Sequence, residues 1–162
     1  MYSSGFLNNF YSQRQIRVIQ EDNNGWIWVG TSAGVYIFNP DSLMNDPDNY
    51  ITYNYNNGKL RSNEIKCIHQ DSKGRIWVGT SGKGFSMCMP EGDYRNLTFE
   101  HYDGSDGLVN SMVQSIVEDR EGKLWVATEY GISRFDPDTH AFENFFFQHM
   151  RWGMFIVRTV VV

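Results

Sequence analysis

Short apolar runs separated by polar turns recur along this chain in the same order three times. Residues 15–21 carry Ile16, Val18 and Ile19, and the equivalent stretches carry Ile65, Cys67 and Ile68, then Val113, Ser115 and Ile116. Each reads as a first strand. An Asp-x-x-Gly follows at Asp22, Asp71 and Asp119, the chemistry of a tight reversal, because Asp bonds its own backbone two residues on and Gly accepts positive φ. Trp26-Ile-Trp-Val29, Arg75-Ile-Trp-Val78 and Lys123-Leu-Trp-Val126 are short and rich in β-branched and aromatic side chains, which predicts a buried second strand. Ser32-Ala-Gly34, Ser81-Gly-Lys-Gly84 and Glu129-Tyr-Gly131 then turn the chain into a third strand ended by Pro40, Pro90 or Pro137. The second copy has one extra residue at this turn. Fourth strands are predicted over 50–55, 97–102 and 141–147.

Asp22 to Asp71 is 49 residues and Asp71 to Asp119 is 48, a period that marks a tandem array of one supersecondary unit. Four antiparallel strands at this period describe a β-propeller blade. A parallel β-helix has shorter rungs and no hairpin turns. No window places apolar residues at i, i+3, i+4 and i+7 over three turns, so an almost entirely β chain is expected. The reading is an all-β fold of three four-stranded antiparallel β-propeller blades forming an incomplete propeller. It divides into a lead-in (1–13), blade 1 (14–57), blade 2 (58–106), blade 3 (107–147) and a tail (148–162). A lone blade cannot bury both its faces, and Trp28, Trp77 and Trp125 recur at one position in every copy, so they are assigned to packing between blades. Trp77 is expected to matter most, because the middle blade has a neighbour on each side.

At these residues the chain resembles the two-component regulator propeller repeat, whose pattern runs Asp-x-x-Gly-x-Ile-Trp-Ile-Gly-Thr-x-x-Gly-Leu. Tyr102-Asp-Gly-Ser-Asp-Gly-Leu108 leading into Val113 is similar to that family's linker and first strand, and Tyr55-Asn-Asn-Gly-Lys-Leu60 is a variant of it. The resemblance spans about 16–147. It implies the periplasmic sensor portion of a hybrid two-component system histidine kinase of the kind found in gut Bacteroidetes, and with it a non-catalytic role in sensing oligosaccharides. A propeller enzyme of the streptogramin-lyase type, with a metal and a histidine at the rim, and a purely structural or interaction propeller are the alternatives.

Closed propellers need about four to eight blades, and three are counted here. The chain is therefore expected to be a fragment, or to close its ring with further blades or by self-association. Residues 148–162 follow no earlier copy. One choice of synonymous codons for them, read two bases on, spells a segment similar to a loop of the family, so the tail is expected to be out-of-frame sequence.

A net charge of −5 and a pI near 5.3, with no basic stripe, make nucleic acid and anionic membrane poor expected partners. Met1-Tyr-Ser-Ser-Gly5 has neither the basic nor the apolar region of a signal peptide. Residues 154–162 are apolar but interrupted by Arg158, too short to span a bilayer. Cys67 and Cys88 read as free buried thiols. The Asp-x-x-Gly turns supply one or two carboxylates each, short of the six to eight oxygens calcium takes, and Asp103-Gly-Ser-Asp106 is the best remaining ion candidate. His69, His101, His140 and His149 lack zinc-ligand spacing, and there is no Gly-x-Ser-x-Gly elbow or phosphate loop. No cofactor, metal site or catalytic residue is assigned, no ligand-binding residue stands out, and no catalysis is expected.

Overall fold

The computed structural model describes residues 15–150 and 153–161. The expected lead-in lies outside them. The strands are β1 (Ile16–Glu21), β2 (Ile27–Thr31), β3 (Gly34–Phe38), β4 (Ile51–Tyr53), β5 (Ile65–Gln70), β6 (Ile76–Thr80), β7 (Phe85–Cys88), β8 (Glu100–Tyr102), β9 (Val113–Glu118), β10 (Leu124–Thr128), β11 (Ile132–Phe135), β12 (Phe142–Met150) and β13 (Gly153–Val160). They form three antiparallel sheets in the orders β1-β2-β3-β4, β5-β6-β7-β8 and β9-β10-β11-β12-β13. The first strand β5 contacts both β1 and β9, which places the three at the inner edge of a fan of blades, with the fourth strands outside.

Two expectations need correction. The tail does not stand apart from the blades: β12 continues to Met150, and β13 pairs with it from Glu143 opposite Val160 to Met150 opposite Gly153. The third sheet therefore has five strands, because the apolar, β-branched run 155–162 satisfies strand pairing whatever its origin. The second concerns the chain after the third strands of blades 1 and 2. Pro40 opens a short helix, α1 (Pro40–Asn45), with Asn39 capping the N–H groups of Asp41 and Ser42; proline suits a first helical position, whose N–H has no partner in any case. A 3-10 turn over Tyr94–Asn96 likewise shortens β8, since Leu97 leaves the sheet and is buried between blades.

Packing separates into two interblade cores. Trp28, Val35, Ile37, Ile51 and Tyr53 of blade 1 meet Leu60, Ile65, Ile68, Ile76, Val78 and Cys88. Trp77, Phe85 and Tyr102 of blade 2 meet Leu108, Val113, Ile116, Leu124, Val126, Phe135 and Phe142. Each blade thus has a leading face, carrying the isoleucine or valine pair of its first strand, and a trailing face, carrying its tryptophan. This corrects the ranking of the tryptophans. Trp28 and Trp77 both lie under the next blade, 0% and 1% exposed, whereas Trp125 on the last trailing face is partly exposed. A tryptophan's burial depends on the blade that follows it.

The glycine before the motif threonine permits this approach. A Cβ on Gly30 would stand 2.5 Å from Val18 Cγ1 and 2.7 Å from Ile65 Cγ2. On Gly79 it would stand 2.7 Å from Val113 Cγ1 and collide with Cys67 Sγ. The third copy, whose trailing face is covered by no blade among the described residues, has Ala127 there. Cys67 and Cys88 are free thiols, Cys88 buried and Cys67 half-buried; burial pushes the Cys67 pKa up to about 12 and that of Cys88 upward too.

Candidate functional site

The motif aspartates are occupied by the fold itself. In every copy the turn aspartate accepts two backbone N–H bonds on Oδ1, from Asn24 and Trp26, Lys73 and Arg75, or Glu121 and Lys123, all at 2.9–3.0 Å. Its Oδ2 accepts the indole N–H six residues on, at 2.8 Å for Trp28, Trp77 and Trp125 alike. Tyr94 Oη also donates to Asp22, and Arg75 and Arg134 to Asp71 and Asp119. These carboxylates hold turn and tryptophan in register and leave little lone-pair capacity for a cation. The motif threonine works similarly, its hydroxyl donating to the carbonyl of the next turn glycine at Gly34, Gly84 or Gly131.

Burial opposes ionisation of Asp119, yet the N–H of Lys123, the Trp125 indole, the N–H of Glu121 and Arg134 bring it down from 3.8 to about 2. Lys123 chiefly does the same for Asp136. Both carboxyls bind a proton less readily folded than unfolded, so the stability they add is complete above the unfolded value of 3.8 and is lost as pH falls toward 2. Urea midpoints should therefore fall through this window, and Asp136→Asn should flatten part of the decline. An unchanged slope in that variant would show that the Lys123 contact does not link folding to pH.

Antiparallel topology puts the second-to-third-strand turns and the interblade linkers on one rim. Between blades 1 and 2 this rim holds an open cleft of about 420 Å³ lined by Tyr55, Gly58, Leu60, Arg61, Lys83 and His101. Its near wall is a linker folded by reciprocal amide bonds: Asn54 N–H donates to Asn57 Oδ1, Asn57 N–H to Asn54 Oδ1, and the Asn57 amide to Thr52 O. Gly58 closes the turn at φ 73, and Leu60, 2% exposed, anchors it in the blade 1/blade 2 core. Tyr55 is left 64% exposed. The far wall is the turn in which the second copy carries its extra residue; Gly82 N–H and Gly84 N–H both donate to Ser111 O, and the lengthened turn carries Lys83 to the cleft.

Arg61 Nη1 lies 2.8 Å from Asp103 Oδ2, tying the first linker to the second. The Ser105 hydroxyl and N–H, then Arg61 and Lys83, hold Asp103 below the usual carboxylate range, while Asp106 Oδ2 accepts the Asp103 N–H. The Asp103–Asp106 carboxylates are thus engaged in shaping their own turn and pairing with Arg61. His101 Nδ1 lies 2.7 Å from Ser86 Oγ. Burial, then Arg61, lowers its pKa. That contact is a cross-strand pair, Ser86 opposite His101, and Ser86 is 2% exposed, so its hydroxyl serves packing rather than substrate. His140 is near Tyr102, and nothing is described of the His149 side chain. Among the described residues no three His, Cys, Asp or Glu converge. The sequence reading missed Tyr55, Arg61 and Lys83; the one-residue insertion in copy two was the available signal.

A fan of four-stranded blades tied by a repeated Asp–Trp bond, with its open cleft built from rim loops, defines a β-propeller repeat protein. The pattern of the two component regulator propeller matches residues 11–33, 59–82 and 107–130, once per blade over the approach to the first strand, the strand, its turn and the second strand. The chain thus carries three two-component regulator propeller repeats, one in each blade. No curated protein matches it. Among solved structures it is similar to the extracellular domain of BT4673 from B. thetaiotaomicron, described as a hybrid two component system, at 17% identity and TM-score 0.63, over 91% of this chain and 24% of that one. The extracellular domain of BT3049 from the same organism, described likewise, is similar at 22% identity and TM-score 0.60, over 91% and 23%. At these identities the likeness concerns the fold, and the chain spans about a quarter of the length of the structures it matches.

Proposed function

We propose that this chain is a non-catalytic, extracytoplasmic sensor segment of a hybrid two-component signalling system, and that its rim cleft takes part in reading an oligosaccharide. The observation that carries the reading is the cleft at the blade 1/blade 2 junction. It combines an exposed aromatic ring, Tyr55, with the cations Arg61 and Lys83 and the imidazole of His101, carried by a linker, a turn and an outer strand. A sugar presents apolar ring faces to an aromatic side chain and hydroxyls to polar groups, and pockets of this kind pair a hydrophobic surface with a few placed polar atoms. A sensor needs no nucleophile or metal, only a binding free energy that differs between two states of the assembly. Likeness to extracellular domains supports a periplasmic location, and the repeat family supports a signalling context.

Because three blades supply only part of a rim, binding by this chain alone should be weak, about millimolar, or −4 kcal/mol. Saturation-transfer NMR with a panel of oligosaccharides detects binding of this strength. At least one should receive saturation from the wild-type chain, and Tyr55→Ala and Arg61→Ala should abolish the transfer while leaving the fold intact. Transfer to none of the panel, or transfer indifferent to both substitutions, removes the cleft from ligand reading.

A further inference from the structure

We propose that the inner leading edge of blade 1 docks onto the trailing face of blade 3 in a second copy of this chain, giving head-to-tail assembly. The chain already makes this kind of contact twice. At the first junction Ile65 and Ile68 pack over Gly30, and at the second Val113 packs over Gly79. Ile65 and Ile68 are 0% and 6% exposed, and Val113 and Ile116 are 0% and 5%. Their counterparts in blade 1, Ile16 and Ile19, are 57% and 67% exposed. The third trailing face has the matching socket, an open groove of about 390 Å³ lined by Ala127, Thr128, Glu129, Tyr130, Ile132 and Phe147. Ala127 holds the position of Gly30 and Gly79, and Ile132 that of the buried Val35 and Phe85.

The polar edge of the junction is also repeated. The residue after the motif aspartate donates its N–H across to the end of the next first strand, Asn23 to Gln70 Oε1 and Ser72 to Glu118 Oε2. At the free ends these positions are Arg120 and Glu21, both exposed. Glu21 therefore offers the same acceptor as Glu118, and Arg120 adds a cation beside the donating N–H. Opposite charges at the rim of an interface fix its register.

The socket differs from the internal ones in one respect. A methyl at Ala127 holds the incoming isoleucines further out than glycine would, although Ser115, opposite Ala127, is smaller than Val18 at the corresponding place. A contact looser than the internal junctions is reversible, and a head-to-tail contact leaves one free head and one free tail, so it grows into open chains or a ring rather than stopping at a symmetric dimer.

The test pairs a blocked head with a blocked tail. Ile19→Asp alters an exposed side chain and Ala127→Arg fills the groove; Arg120→Glu is a second tail variant on an exposed turn, should Ala127→Arg fail to fold. In sedimentation velocity the wild-type mass should rise with concentration, and Ile19→Asp and Ala127→Arg alone should lose the species above monomer. Mixed, they should form one-to-one dimers, because the head variant keeps a working tail and the tail variant a working head. Glu21→Arg should weaken assembly and Glu21→Arg/Arg120→Glu should restore it. A wild type monomeric up to several hundred micromolar would mean that the edge accepts only blades of a longer polypeptide, and would overturn the proposal. So would dimers that survive in either blocked variant, which indicate a symmetric contact, or a mixture that stays monomeric.

Discussion

Trp77→Ala should lower the unfolding free energy by about 3–5 kcal/mol, as removal of a large buried aromatic does. The ring is 1% exposed and sits among Phe85, Tyr102 and Phe135, with centroids 5.8, 6.2 and 5.8 Å away. Arg75 lies over its face at 5.4 Å. Little around this site can collapse into the space, because the ring is held between two sheets whose backbones are fixed by their own ladders. Trp28→Ala should cost a similar amount, since blade 2 covers Trp28 equally. Trp125→Ala should cost clearly less, its ring meeting Phe145 and Arg134 of its own blade on a partly exposed face. Urea unfolding of the three variants checks the order. A Trp125→Ala midpoint as low as that of Trp77→Ala would show that the ring's own blade, not the following one, determines its contribution.

The second large effect is expected at Asp71. Its side chain is 0% exposed, and Asp71→Ala would strand four donors: the N–H groups of Lys73 and Arg75, the Trp77 indole and the Arg75 guanidinium. Removing one partner of a buried, hydrogen-bonded charge costs about 3–5 kcal/mol, and buried donors left without acceptors are the main source of that cost. Asp71→Asn should fall between, since one oxygen remains for the turn while its NH2 faces other donors. Combined with Trp77→Ala, the loss should be well below the sum of the single losses, because the two residues share one bond. Full additivity in this double-mutant cycle would mean that the Asp–Trp bond contributes nothing beyond its parts. Asp119→Ala should cost less than Asp71→Ala, its side chain being 24% exposed.

The two predictions concern residues that the sequence marks clearly but explains incompletely. The Asp-x-x-Gly spacing identifies a turn, since aspartate's bond to backbone two residues on and glycine's positive φ are local requirements. It does not show that the same carboxylate holds the tryptophan six residues later, a bond that closes only when the hairpin forms. Likewise Gly30 and Gly79 look like ordinary strand glycines, and their purpose appears only when Ile65 and Val113 arrive from the next blade. The rim cleft was hidden for the same reason. Tyr55, Arg61, Lys83 and His101 are spread over almost fifty positions, and no spacing rule links a linker, a turn and an outer strand of different blades.

Sequence by itself determined the repeat, the strands, the turns and the blade architecture. Each depends on contacts within one unit, written three times over, so that agreement among copies stands in for missing context. Tertiary structure alone decided which face each tryptophan covers, where His101 and the rim cations meet, and that Gly153–Val160 pairs with β12 to extend a blade. Those outcomes depend on what lies across an interface. A side chain's local pattern fixes the face of the strand from which it projects, but its burial, ionisation and partners belong to whichever neighbour occupies the space beyond. At Ile16, Ile19 and Trp125 no blade among the described residues occupies that space.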